Sequence, residues 1–337
     1  MNVFLSLAAR ILINVEALNM VESVGNVTRH RRATIVVHEG KSYKKIEVPA
    51  ISGESIAHAY QEAIVEAAKN IFGETAPICE WCERGEFFKS MDDKHTVEAA
   101  KGIKDPHMFE KTVIENCIVE DIGGFLRAER PPVKRTSRFY VGYMLPVMDA
   151  IKATAMDTQF HARHAPSEAV RGEQEKVAAQ MIYYVETGSA LYGLSSCLDI
   201  DGIGRTSMIK IENAVPDTER IDRVKVALTA LTMLLSNVSF GAKRTRFLPF
   251  TDVKSLLVAV SKPLPFVVSP PSSIGYLQHT LQRKNALEGA LKNLGVNEQI
   301  ALYAYSSETE IPEGIKKFDS VEDLLKKVAD DILASMR

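Results

Sequence analysis

Residues 3–17, VFLSLAARILINVEA, carry an apolar side chain at every odd position: Val3, Leu5, Leu7, Ala9, Ile11, Ile13, Val15 and Ala17. The even positions include Ser6, Arg10, Asn14 and Glu16. A period of two sends successive side chains to opposite faces, so the stretch reads as a long strand with one buried face and one partly polar face. Outward from it, VESVGNVTRHRR (21–32) is a loop centred on Gly25 and Asn26, residue types that accept left-handed backbone conformations. The loop ends in Arg29, His30, Arg31 and Arg32, and with Thr28 it makes a candidate anion-binding edge at the end of a sheet.

A short hairpin over 33–48 turns at Gly40. ISGESIAHAYQEAIVEAAKNIFG (51–73) then has helical spacing, with Ser52 as N-cap and Gly73 as stop. Its first turn, at Ser52 and Gly53, is a potential phosphate seat because the leading N–H groups of a helix lack internal partners. Residues 74–109 have mixed charge and no clean period, and read as a helical insertion. Strand-like segments follow at 112–121, 136–146, 153–165 and 181–198, and the third of these with the polar stretch after it suggests a protruding ribbon. TERIDRVKVALTALTMLLSN (218–237) is the strongest helix by period, and Ser255 to Val260 is a continuous apolar run suited to a central strand. After four prolines between Pro263 and Pro271 come a helix over 274–294, a strand QIALYAY and a terminal amphipathic helix. The strong elements give an α+β, ferredoxin- or RRM-like βαββαβ skeleton, read as one domain over 1–337 carrying insertions at 74–109 and 147–180.

The chain has 337 residues and a formal net charge of −2, so a nucleic-acid binder of this composition must gather its basic residues into patches. Three such clusters occur: Arg29 to Arg32; Arg127, Arg130, Lys134, Arg135 and Arg138; and Lys243, Arg244 and Arg246. Each lies beside glycine, Gly241 in the third case, and aromatic residues such as Phe139, Tyr140, Phe240 and Phe247 stand near by. Taken singly, each cluster also fits a solvated surface. The N-terminus alternates and has no cleavage pattern, and no apolar run approaches the roughly 20 residues of a membrane span, so a cytoplasmic protein is expected.

Catalytic signatures are lacking. No phosphate-binding P-loop, dinucleotide glycine pattern or nucleophile elbow occurs, and no aspartate precedes Asp92. His30 and His161 are the candidate bases for RNA cleavage, His161 lying on the polar face of its strand beside Gln159. Cys79-Glu-Trp-Cys82 has the spacing of half a zinc site, but Cys117 and Cys197 are isolated and only His95 and His107 lie near in sequence. No metal and no cofactor is therefore expected, with a zinc-stabilised interaction protein kept as a third reading.

NMVESVGNVTRHR, PAISGESIAHAYQ, EDIGGFL, RTSRFYVGYMLP and FGAKRTRFLP together closely resemble the archaeal DevR-type family, the backbone subunits of type I CRISPR surveillance complexes (Cascade) within the RAMP superfamily. The resemblance implies an RRM-like palm with inserted finger and thumb elements. It also implies binding of CRISPR guide RNA along its length, head-to-tail self-association into a helical filament, contact with target DNA through the guide, and other Cascade subunits as partners in antiviral defence. It places Thr28, Arg29, His30, Arg31, Ser52, Gly53, His58, Gly241, Lys243, Arg244 and Arg246 in the guide-binding groove, with Arg135 and Arg138 flanking that groove or the contact with the next copy. His161 is added as a ligand-touching candidate from its place on the ribbon. The late loop has Gly241-Ala242 where the family often has paired glycines. A non-catalytic RNA scaffold is the leading expectation, and an RNA endonuclease of the same superfamily, for guide processing or target cleavage, is the alternative.

Overall fold

The computed structural model describes residues 3–130, 132–162, 182–238, 240–241 and 243–336. The first strand, β1 (Phe4–Glu16), is covered on both faces. Its odd side chains Leu5, Leu7, Ile11 and Ile13 enter a core formed with Ile56, Tyr60, Ile64, Leu228, Leu231, Leu324 and Val328. The even side is partly polar, as its residues predict, yet Ser6 and Arg10 are buried there. The reason is a second layer. Ser6 Oγ donates to the Phe266 carbonyl at 2.8 Å, and Arg10 pairs with Asp149 at 3.0 Å and Glu308 at 2.6 Å. Both polar side chains are thus satisfied by the segments that cover them.

A hairpin of β2 (Met20–Val24) and β3 (Val27–His30) follows β1, turning at Gly25 with φ +62°. A second hairpin pairs β4 (Arg32–Glu39) with β5 (Ser42–Pro49) around Gly40. The helix α1 (Gly53–Phe72) starts as its period predicts, with Ser52 Oγ accepting from Ser55 N at 3.3 Å. Beyond it, α2 (Glu80–Glu83) is a single turn within the 74–109 insertion.

Residues 112–121, expected as a strand, are helical instead: α3 (Pro106–Asn116) and α4 (Ile118–Gly123). Asp105 caps α3 through Met108 N, Pro106 opens it, and Phe109, Val113 and Ile114 are buried at helical spacing. The short apolar run was ambiguous between the two periods, and packing chose the helix. The hairpin of β6 (Phe125–Arg127) and β7 (Val133–Arg135) comes next, then β8 (Phe139–Val141), β9 (Leu145–Pro146) and β10 (Ala155–Ala162).

The long strand β11 (Ile182–Asp199) runs antiparallel to β1, from Phe4 opposite Asp199 to Glu16 opposite Gly188. Its first residues extend past the end of β1, where β10 pairs along one edge and β3 meets Tyr184 and Val185 on the other. The remaining elements are α5 (Asp217–Ser236), β12 (Phe250–Lys262), α6 (Tyr276–Asn293), β13 (Gln299–Ser306), β14 (Lys316–Phe318) and α7 (Val321–Met336). The main sheet runs β14-β13-β12-β1-β11-β3-β2, with β8 and β9 also paired to β11. Helices α1, α5 and α7 line one face; α6 and the proline-rich connector, through Phe266, Val268, Tyr276 and Leu277, line the other. Of the 147–180 ribbon the structure describes a short 3-10 helix (Met148–Ala153) and β10, and residues 163–180 lie outside the described residues. The fold is α+β, and among the described residues no helix is long and apolar enough to cross a membrane.

Candidate nucleic-acid interface

Three segments far apart in sequence meet where β1 ends. Asn19 Oδ1 accepts from Ser52 N at 2.8 Å, the Asn19 carbonyl accepts from Arg31 N at 2.9 Å, and Ser55 Oγ donates to the Leu18 carbonyl. Gly241 completes the junction: its φ is +79°, and a Cβ there would fall on the Leu18 carbonyl. Only glycine permits that approach. The start of α1, the basic run and the late basic loop are thereby held around Leu18 and Asn19.

Beside this junction lies a groove of about 460 Å³ lined by Thr28, Tyr183, Lys243, Thr245, Arg246 and Phe247, with Gly25 and Asn26 at its rim. Lys243 Nζ stands 5.9 Å from the Tyr183 ring centre, and Arg246 bonds the Tyr183 hydroxyl. The His161 ring stacks on Tyr183 at 5.0 Å and meets Phe247 edge-on at 5.5 Å. Partial burial, then the charge of Arg246, lowers the Lys243 pKa from its ordinary value. No carboxylate lines the groove among the described residues. Its walls therefore combine cations that suit phosphate oxygens with rings that suit base faces.

The basic run divides by strand alternation. Arg29 points outward, its guanidinium half exposed and 3.9 Å from Glu22. Arg31 is partly exposed and donates to the Tyr143 hydroxyl at 3.4 Å. His30 turns inward and is fully buried, which corrects its expected place as a ligand-touching residue. Its Nε2 is 2.6 Å from Glu16 Oε1 and its Nδ1 is 2.7 Å from the Arg31 carbonyl. Burial opposes charge on this ring, but the Glu16 carboxylate and that carbonyl outweigh it and the pKa is raised. Glu16 also accepts from the Tyr192 hydroxyl at 2.7 Å and from Leu18 N at 2.8 Å. His30 thus clamps the loop to β1 and β11.

Ser52 is buried as the cap of α1, and Gly53 lies where a Cβ would meet the Val141 carbonyl. His58 is exposed on α1, 3.6 Å from Glu62 and edge-on to Phe87.

Arg135 and Arg138 do not share the groove. The Arg135 side chain is fully buried, with Nε donating to the Asp121 carbonyl at 2.8 Å and Nη1 lying 3.2 Å from Glu110. Asp121 also pairs with Arg223 at 2.9 Å. A guanidinium enclosed by its own acids is unavailable to a phosphate. Arg138 pairs with Asp199 at 2.9 Å, at the far end of β11 from Tyr183, about 50 Å away at ~3.3 Å per strand residue. Tyr183 was missed from the sequence, since its place beside Thr28 depends on the β3–β11 register.

A family model described as "CRISPR-associated negative auto-regulator DevR/Csa2" matches residues 7–281. The chain is 37% identical over 334 residues to a Saccharolobus solfataricus protein named "CRISPR-associated aCascade subunit Cas7/Csa2 2", covering 96% of this chain and 99% of that one. It is 38% identical over 270 residues to another from that organism, "CRISPR-associated protein Cas7/Csa2 1", covering 80% and 82%. A chain of a solved "CRISPR RNA-guided surveillance complex, pre-nicking" has the same fold, with a TM-score of 0.51, 12% identity and coverage of 99% and 100%.

Proposed function

The chain belongs to the DevR/Csa2 family, and from that premise we propose that it is a non-catalytic backbone subunit of a type I CRISPR Cascade complex that holds guide RNA without regard to sequence. The observation that carries this reading is the groove in which Thr28, Tyr183, Lys243, Arg246 and Phe247 converge. Lys243, Arg246 and the outward Arg29 and Arg31 contact phosphates, which fixes register without reading bases. Tyr183 offers a stacking face, and every base has a matching one. Gly53 and the start of α1 border the same junction, while His58 and His161 act at its margins. Arg244, beside Lys243, adds to the same electrostatic field.

The core is an RRM-like palm. The path β1, α1, β8–β9, β11, α5, β12 supports this, as does the sheet order β12-β1-β11 with β8 and β9 on the outer edge of β11. The chain is one domain with insertions at 74–109 and 147–180, the second serving as the thumb. Copies stack head to tail in the cytoplasm with other Cascade subunits, and target DNA is met through the guide. Arg138, remote from the groove, belongs to the contact with the next copy.

A cleaving role finds less support. His30 is enclosed and held by Glu16, and among the described residues the groove lining carries no acid to bind a catalytic metal. Equilibrium binding of unrelated single-stranded RNAs at several salt concentrations tests the reading. Similar affinities that fall steeply with salt are expected. Affinity confined to one sequence, or magnesium-dependent cleavage of labelled RNA, contradicts it.

A further inference from the structure

Away from the groove, the fold gathers three of the four cysteines. Cys79 and Cys82 flank the start of α2, Cys117 lies between α3 and α4, and Glu120 is in the first turn of α4. One ligand atom from each lies within 4.8 Å of all the others. Cys82, Cys117 and Glu120 are fully enclosed and Cys79 is partly exposed. Cys197, by contrast, is on β11 and takes no part.

We propose that Cys79, Cys82, Cys117 and Glu120 form a structural zinc site that fastens the 74–109 insertion to the helical layer. The donor set suits zinc, which takes thiolates at about 2.3 Å and a carboxylate oxygen at about 2.0–2.2 Å in a tetrahedron. Those bond lengths place a sulfur and an oxygen ligand roughly 3.5 Å apart. Cys79 Sγ and Glu120 Oε1 are 3.6 Å apart. A second observation points the same way: Glu120 Oε2 is buried without a hydrogen-bond partner. A carboxylate so enclosed beside three thiols keeps its charge only with a cation close by, since buried charge is costly.

The surroundings supply what a bound metal requires. Three thiolates and a carboxylate around a divalent ion leave two negative charges, and Lys89 interacts electrostatically with Cys82, Cys117 and Glu120. Its Nζ is fixed by donating to the Gly123 carbonyl at 3.3 Å, the kind of outer-shell placement that tunes a metal site. The segments are also tied by Ile118 N donating to the Pro77 carbonyl at 2.8 Å. Four protein ligands leave no open position, so the site is structural. A metal joining Cys82 to Cys117 closes a long loop, which stabilises the fold by restricting the unfolded chain.

Elemental analysis of the full chain purified under reducing conditions is expected to find one zinc per chain, retained by Cys197→Ser and lost in Cys117→Ser and Glu120→Gln. Because a cysteine variant can fail to fold, the wild type is also stripped and titrated with cobalt(II). A tetrahedral thiolate spectrum saturating at one equivalent and erased by zinc supports the site. Zinc should also protect three of the four cysteines from alkylation. A wild-type chain that takes up neither zinc nor cobalt, or that holds iron in place of zinc, overturns the proposal. So does loss of metal in Cys197→Ser equal to that in Cys117→Ser.

Discussion

His30 and Glu16 form a fully buried ion pair, 2.6 Å apart, between the basic loop and the end of the central strand. Removing one partner breaks a buried pair, which costs about 3–5 kcal/mol. His30→Ala is expected to lower unfolding stability by that amount in urea titrations, and to weaken RNA binding only through disorder of the loop.

The same pair predicts a pH dependence. The folded-state pKa of His30 lies above the ordinary value near 6.5. A raised pKa means that the pair's stabilisation is complete below the unfolded value and declines as pH rises through the folded one. Stability measured from pH 6 to 9 should fall more steeply in the wild type than in His30→Gln. Equal slopes would show that the pair carries no such linkage.

Gly241→Ala places a methyl group against the Leu18 carbonyl at a left-handed backbone position. The late loop must then leave its seat, and RNA affinity should drop about tenfold or more while the helical core melts as before. Gly25→Ala provides the contrast, because a Cβ there meets open space and only the turn conformation is strained.

Arg135 and Arg246 are both arginines of basic clusters, but opposite outcomes are expected. Arg135→Met should destabilise the fold by about 3–5 kcal/mol, as expected when a buried pair with Glu110 and Asp121 is broken. Arg246→Glu should leave the melting temperature near that of the wild type. It should also reduce the salt slope of RNA binding by about 0.7, the share of one phosphate that is no longer neutralised.

These contrasts mark what the sequence carried. Period alone located β1, α1, α5 and α7, because each buries a regular face, and an unbroken apolar run located β12, which is buried on both faces. Charge counting found the Arg29–Arg31 and Lys243–Arg246 segments, and glycine chemistry marked Gly25 as a turn. What it lacked was the third dimension. The run containing Arg135 reads as basic because its acids, Asp121 and Glu110, lie 14 and 25 residues upstream on helices. Cys117 reads as isolated for the same reason, 35 residues from Cys82 along the chain (117 − 82) yet adjacent in the fold. Tyr183 carried no local signal at all.

The groove between the first basic loop and the late one is tested most directly by the RNA that accompanies the purified protein. Wild-type chain isolated without nuclease should carry RNA. Lys243→Glu, Arg244→Glu and Arg246→Glu combined should remove it, with the circular dichroism spectrum and melting temperature unchanged. Undiminished RNA in that folded triple variant would contradict the assignment of the groove.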